Sequence, residues 1–381
     1  MTLPDNSAAQ FLKQQPKAGD TQPFPSGQIT YLAPLPLPTQ HPAQDYSHAV
    51  GEMNDTYLDF GTGLPQVFGW QMLLGGPFTL FVMVTYLLPM IAALMALAAG
   101  GGVVDAKDFF YGTYEGFRYL GPFGSLCVLA ILLLSWLHSR SKVSDIRPTR
   151  FNRQRREVCF VPIGDRDPII VPWESVSAWV IQAQGVTQYG VQRQYAMGVG
   201  FHHAPSGRDC TLEFPCAGLP LAISNWEAVR AYMEYEVHSL KEVQDPLELQ
   251  GPDDPPHEGL HTFRNARQRL HRRFREGEVG VLGIFGWYLY HVMTLWTLPN
   301  YMTEWDIRSI KRKSRAALPR TIQEWSQPLP PELWAKPSAE LQRLSPQVKA
   351  LHTQQPQKPI TAIFAEVLRA PAAKGNSRTS A

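Results

Sequence analysis

His202, His203, Cys210 and Cys216 are residue types that bind zinc, and they are the nearest thing to a metal set in this chain. Structural zinc draws its ligands in close pairs, about two to five residues apart on each arm. The gaps here fit no such pattern, so strand and turn residues are the plain reading. Asp253, Asp254, His257 and Glu258 place carboxylates and an imidazole close together, but among prolines that read as a solvated linker. Ser206, in Pro-Ser-Gly, lacks the Gly-x-Ser-x-Gly turn that exposes a nucleophile. The glycines 100–102 follow an apolar run rather than a strand, which is the wrong context for cradling phosphate. His291 lies inside another apolar run, where a polar group can handle protons; on a surface-lying helix it would simply face water. Residue types suited to chemistry are present without the spacings that chemistry needs. The expectation is a binding protein, not an enzyme, with no metal and no cofactor.

The elements that must position everything else are apolar. From Phe60 to Val104 no residue carries a charge, and a second run, LGPFGSLCVLAILLLSWL, ends at Leu137. A hydrocarbon core about 30 Å thick needs about 20 such residues as helix. Both runs qualify, which predicts a transmembrane hairpin over 70–139, kinked at Pro89, with Trp70 and Trp136 at the interface. The net charge of +2 says little, but its distribution says more. Arg140, Lys142, Arg147, Arg150, Arg153, Arg155 and Arg156 follow the second helix, whereas the loop between the helices mixes Asp105, Lys107, Asp108, Glu115 and Arg118. The excess of Lys and Arg places residues beyond 140, and with them the N-terminus, in the cytoplasm. No cleavable leader is visible at the start, and the cysteines fall where thiols stay reduced.

Residues 1–69 are rich in Pro, Gln, Ser and Thr and read as a disordered lead-in, with the LPLP run as linker. From 147 to 241 the texture is short apolar runs: Glu157–Val161, Asp167–Trp173, Ser175–Ala183, Gly190–Phe201 and Cys210–Phe214, separated by Pro- and Gly-containing turns. Ser224 with Glu227 predicts a capped helix whose apolar face carries Trp226, Val229, Met233, Val237 and Leu240. An acidic, Pro-rich linker (242–262) leads to a helical region (263–370) and a disordered tail (371–381). Within that region a third apolar run, 279–302, has basic clusters at both ends, so charge gives no orientation. A helix pair at the membrane surface, or docked on the hairpin, is preferred there over a third crossing.

The arginine-rich segments suit anionic lipid or nucleic-acid phosphate alike. Both abut apolar runs, which favours lipid: Arg150, Arg153, Arg155, Arg156, Arg269, Arg272 and Arg273 are the candidate contacts, and nucleic acid is not expected. Trp173, Trp179, Tyr189 and Tyr195 are candidate anchors for a protein partner.

Short strands closed by one helix outline a pleckstrin-homology-like barrel, and IIVPWESVSAWV resembles the strand–Trp–acid–strand pattern of bacterial membrane-tethered domains of that kind. A different small β-rich α+β domain is the other candidate. Together with RPTRFNRQRREVCFVP, LPLAISNWEAVRAYMEYEVHSL and GPDDPPHEGLHTFRNARQRLHRRF, the chain resembles a proteobacterial family of two-helix membrane proteins encoded beside type VI secretion effectors, of the TsiT-type immunity kind. The resemblance implies an α+β protein of the bacterial inner membrane, multi-pass, with its bulk in the cytoplasm, that neutralises a cognate nuclease-class toxin by occlusion. It implies no role for any single residue. An effector-loading scaffold and a tethered lipid-binding domain remain the competing functions.

Overall fold

In the computed structural model, residues 16–61, 65–143, 148–161, 167–187, 190–205, 207–246, 249–317 and 319–369 are described. The chain is α+β and divides into two compact units, each assembled from separated pieces of sequence.

The first unit joins Met1–Gly63, Arg147–Asp245 and Ala317–Ala381. Among the described residues it holds ten strands in two antiparallel sheets: β1 (Thr21–Phe24), β2 (Gly27–Ala33), β8 (Ser177–Thr187), β9 (Gly190–His203) and β10 (Arg208–Cys216) in that order, and β3 (Val50–Met53), β4 (Tyr57–Phe60), β5 (Thr149–Asn152), β6 (Glu157–Phe160) and β7 (Ile169–Pro172) in the other. The five runs expected from 157 to 214 are all strands, within a few residues of their ends. The lead-in is the correction. Residues 21–60 form four strands, and Leu32, Ala33 and Leu37 of the Pro-rich patch are fully buried. A window rich in Pro and Gln hides this, because β2 gains its ladder partner from β8, about 150 residues later.

The main core lies between sheet faces and helices. Ala178, Val180, Met197 and Val199 meet Leu58, Phe60, Phe151 and Val158, with Trp173 and Trp226 packed at 5.3 Å. Helix α4 (Leu219–Met233) is buried all round from Ala222 to Met233. It starts at Gly218 with Pro220 in its first turn, not at Ser224, and Val237 and Leu240 lie beyond its end. Glu227 caps nothing; it accepts from the Thr39 backbone N–H and hydroxyl (3.0 and 2.7 Å) and pairs with Arg230. Two C-terminal helices, α8 (Ala339–Gln354) and α9 (Ile360–Arg369), add Leu341, Leu344, Val348, Ile360, Ile363, Phe364 and Val367 at helical spacing.

The second unit joins Leu64–Ile146 and Pro246–Ala316. Two helices in it, Val67–Ala98 and Val103–Ser141, are long and apolar enough to cross a membrane, so this is a membrane protein. The first, α1, contains π-helical turns at Gln71–Gly75 and Met83–Leu87, each just ahead of a proline, Pro77 and Pro89. The widened turn accommodates a ring that would otherwise clash with the preceding carbonyl. The expected polar loop is helical: α2 (Val103–Phe117) begins with Asp105 accepting from the Gly102 N–H (2.7 Å) and runs toward α3 (Leu120–Val143). Gly121 lets α3 approach Thr85, whose hydroxyl would stand 2.1 Å from a Cβ there. Trp70 and Trp136 meet at 5.2 Å, as the two outer ends of a hairpin must.

The third apolar run is two helices, α6 (Val281–Met293) and α7 (Leu298–Ala317), bent by 53° at a short break. Leu295 and Trp296 sit there with positive φ (64° and 56°). Before them, α5 (Leu260–Arg275) carries the second arginine cluster. The acidic stretch 253–258 is engaged within this unit: Asp254 accepts from Gly251 N–H and Asn265, and Glu258 accepts from Val67 N–H at 2.5 Å.

Since β2 and β4 come from ahead of the hairpin, a fragment beginning at residue 147 lacks the partners of β8 and β5. Expressed alone it is expected to aggregate, and co-expression with residues 1–63 should recover a soluble, co-purifying complex. A monomeric 147–245 fragment with dispersed amide resonances would contradict the split-sheet architecture.

Candidate interaction site

The segment RFNRQRRE forms β5 and its turn into β6, and it points inward. Arg150 and Asp59 are directly opposed across the β4–β5 ladder, and the guanidinium grips the carboxylate with Nε and Nη2 at 2.6 and 2.7 Å. Arg150 also lies over the Tyr57 ring at 3.7 Å and donates to Ser326 (2.9 Å). Burial works against its charge, and the Asp59 bonds more than restore it. Arg153, 2 % exposed, reaches Asp55 (2.9 Å) between the rings of Tyr232 and Tyr235. Arg156 is buried between Glu234 (2.8 Å) and Glu174 (3.1 Å). Arg155, partly exposed, donates to the Trp325 carbonyl at 2.9 Å. Arg150, Arg153 and Arg156 are therefore structural clamps, not lipid contacts, and Arg155 is held by the C-terminal segment. Their partners are acids distant in sequence, which no local charge count reveals.

The aromatic candidates separate in the same way. Trp173 is fully buried, its Nε1 donating to Glu234 (3.0 Å), while the next residue, Glu174, accepts from the Ser338 N–H (2.9 Å). The strand–Trp–acid pattern thus marks a core anchor and an ion-pair hub. Trp179 is 1 % exposed on the opposite face of its sheet, in a small cluster with Ile29, Tyr31 and Ile181. Its indole lies across Gly198 and Gly200, where a Cβ would stand 2.2 and 3.0 Å from ring atoms, and Nε1 donates to Glu213 at 3.2 Å. Neither tryptophan presents a face to a partner. Tyr189 lies outside the described residues, and Tyr195 is half-exposed.

Tyr195 marks the root of a feature that spacing alone did not reveal. Strand β2 pairs with β8 as far as Ala183, and β10 pairs with β9 as far as Tyr195. Beyond those points β8 and β9 continue against each other, Gln184 opposite Arg193 through Thr187 opposite Gly190. Among the described residues no further strand flanks this two-stranded arm. Gln184, Gly185, Val191, Gln192, Arg193 and Gln194 are exposed, Val191 at 63 %. Past Gln184, whose N–H still donates to the Ser26 carbonyl (2.7 Å), main-chain edges open on both sides accept a strand from another chain. The alternation of strand length against neighbour length was the available signal, but it needs the pairing to be read.

On the second unit, α5 splits its arginines. Arg269 is half-buried and has a partner, Arg273 pairs with Glu278 at 2.9 Å, and Arg272 is exposed together with Arg264, Arg267 and Arg275. At the end of α3, Arg140 bonds Asp306 and Ser309 (2.9 Å to the hydroxyl) between the rings of Trp136 and Trp305, each 5.0 Å away.

Two substitutions test these carboxylates, Asp59, which is buried, and Glu213, which is exposed on β10 with its carboxylate on the Trp179 indole N–H. Asp59→Ala leaves Arg150 buried without its counter-ion, at a cost of about 3–5 kcal/mol, and should lower the detergent-solubilised melting temperature on the order of 10 °C. Glu213 behaves oppositely. Partial desolvation pushes its carboxyl above the usual range, against the Trp179 bond that lowers it, although the residue as a whole is exposed. A folded-state pKa above the unfolded value means stability is lost as pH rises from the ordinary carboxylate range through that raised value. Glu213→Gln should therefore melt at or above the wild type at pH 7, with the gap closing as pH falls; a lower melting temperature at every pH would refute this.

Compared with family models, curated proteins and solved structures, the chain matches none of them.

Proposed function

We propose that this is a bacterial inner-membrane protein that holds a β-rich binding domain at the cytoplasmic face and acts as an immunity protein, occluding a cognate nuclease-class toxin of type VI secretion. The observation that carries the binding reading is the β8–β9 arm. Its edges are open past Gln184, whereas Arg150 and Arg156, which follow the membrane helices, are spent inside the fold. Toxin identity and the secretion context rest on the sequence resemblance. The cytoplasmic placement rests on Arg140, Lys142 and Arg147–Arg156 outnumbering the two basic residues, Lys107 and Arg118, between the spans.

The binding domain has a pleckstrin-homology-like outline. Strands β4–β10 are seven antiparallel strands divided between two sheets and followed directly by α4, to which β1–β3 and the C-terminal helices are additions. An occluding protein needs complementary surface, not an active centre, and a stiff root lowers the entropy lost when the arm docks. The arm's root is stiff: Trp179 and Ile181 are buried beside it.

Co-expression with the toxin encoded alongside tests the proposal. The intact chain should protect, and a variant with Gly185–Gln194 replaced by a two-residue turn should reach the membrane in equal amount yet lose protection by at least about 1.4 kcal/mol, tenfold in toxin affinity. Equal killing with and without the intact chain removes the immunity function; full protection by the shortened variant removes the arm as its surface.

A further inference from the structure

Residues 246–316 leave one folded unit and return to it. After their return, Trp325 accepts from Asn152 and Arg155, Ser326 accepts from Arg150, and Gln154 accepts from the Leu329 N–H at 2.7 Å. Both flanks therefore lie on one side of any membrane, so the chain between them crosses an even number of times. Among the described residues only one stretch there approaches spanning length, the bent pair α6–α7. One crossing would carry residues 319–369 away from the sheets in which they are packed. A third transmembrane span is thereby excluded.

The same helices are nevertheless built for lipid. None of the residues of α6 is buried, and Val281 (71 %), Leu282 (85 %), Phe285, Leu289 and Val292 are exposed. At about 100° per residue these five share one arc roughly 100° wide. Tyr290 looks the other way, donating to Gln71 of α1 (3.0 Å). Thr79 donates to the Met293 carbonyl (3.0 Å), and a Cβ on Gly75 would stand 2.7 Å from Thr294 Cα. These α1 contacts fall within about 18 Å of its start at 1.5 Å per residue, roughly one leaflet and its headgroups. On the preceding helix, Arg264, Arg267, Arg272 and Arg275 are exposed along one face, and no carboxylate among the described residues forms an ion pair with Arg264, Arg267 or Arg272. Phe263 joins the two helices through Trp287, His291 and Trp296 at 5.2–5.6 Å.

We infer that α5 and α6 form a monotopic docking surface for anionic phospholipid, with the α6 stripe in the acyl region of a single leaflet and the α5 arginines on headgroup phosphates. This goes beyond the immunity reading and does not depend on it. Charge decides the partner, since a neutral leaflet would satisfy the stripe and leave the arginine face unused.

The test uses the full chain in vesicles, with the exposed Cys127 and half-buried Cys216 replaced by Ala and Ser. Cys159 and Cys210 stay; both are buried, and burial pushes the Cys159 thiol up to about 12. A fluorophore on Leu282→Cys should be quenched by bromine on lipid chains and not by aqueous iodide. At equal mole fraction, brominated phosphatidylglycerol should quench more than brominated phosphatidylcholine, by up to roughly fivefold for each arginine engaged. The preference should disappear in high salt, and in R264Q/R267Q/R272Q/R275Q; if that variant misfolds, the salt titration of the unaltered arginines decides. Quenching by iodide, or equal quenching by both lipids, overturns the surface, as does loss of the preference on adding duplex DNA. Glu276→Cys and Lys311→Cys should react with an impermeant maleimide from the same side of the vesicle; reaction from opposite sides overturns the single-leaflet placement.

Discussion

The pairing of Tyr57–Phe60 with Thr149–Asn152 is the constraint on which the architecture depends. These short strands flank the transmembrane hairpin in sequence, and their ladder brings its two ends to adjacent positions. Four residues of ladder are a weak device for holding apart everything between them. Asp59 and Arg150 strengthen it, because they are cross-strand partners and both buried. A one-residue slip would set Arg150 against Leu58 or Phe60 and leave two charges desolvated without partners. Replacing such a pair with apolar residues can raise stability, so its contribution is to register more than to net free energy. With register held, the insertion is a closed loop, and the parity of its crossings follows.

The same logic explains which parts were legible in the sequence. Strands β6–β10 were legible because Val, Ile, Phe and Trp recur at strand spacing between clear turns, and the hairpin because uncharged runs of that length have few other uses. The four N-terminal strands were not. GQITYLA and TYLDF do carry apolar residues, but Pro34, Pro36 and Pro38 dominate any composition window around them. Their order comes from non-local partners, and a short strand without its neighbours has no signal stronger than turn chemistry. Ser224 and Glu227 at capping-box spacing pointed to a helix start, whereas Gly218 and Pro220 set the real one; once Glu227 is buried, its carboxylate goes to Thr39 and Arg230.

Charge was the least transferable signal. Two arginine clusters of similar density, each beside an apolar run, have opposite fates. In RFNRQRRE the guanidiniums turn inward, because Asp55, Asp59, Glu174 and Glu234 arrive from one strand, two turns and a helix terminus to meet them. In α5 the helix itself fixes an exposed face: Glu278 pairs with Arg273 and Arg269 has a partner, while Arg264, Arg267 and Arg272 stay exposed. A cluster on a strand can be neutralised from either neighbour in the sheet, whereas a cluster on a surface helix is neutralised only from its own face or from whatever it docks on. Secondary structure must therefore be assigned before a basic run is read as a surface.

The buried tryptophans belong to the functional argument even though they touch no partner. An isolated two-stranded ribbon is marginal in water, and one that must be ordered on contact weakens binding by the entropy lost. The β8–β9 arm escapes part of that cost because it extends from central strands. Val180 and Met197 of those strands lie in the main core on one face, and Trp179 seals the other face over Gly198 and Gly200. Glycine at those two positions weakens a strand intrinsically, and here it is what allows the indole to lie flat against the backbone. Rigidity at the root with open edges at the tip is the combination a strand-adding interface requires, and the arm's polar exposed residues, Gln184, Gln192, Arg193 and Gln194, are of the kind that keeps open edges soluble.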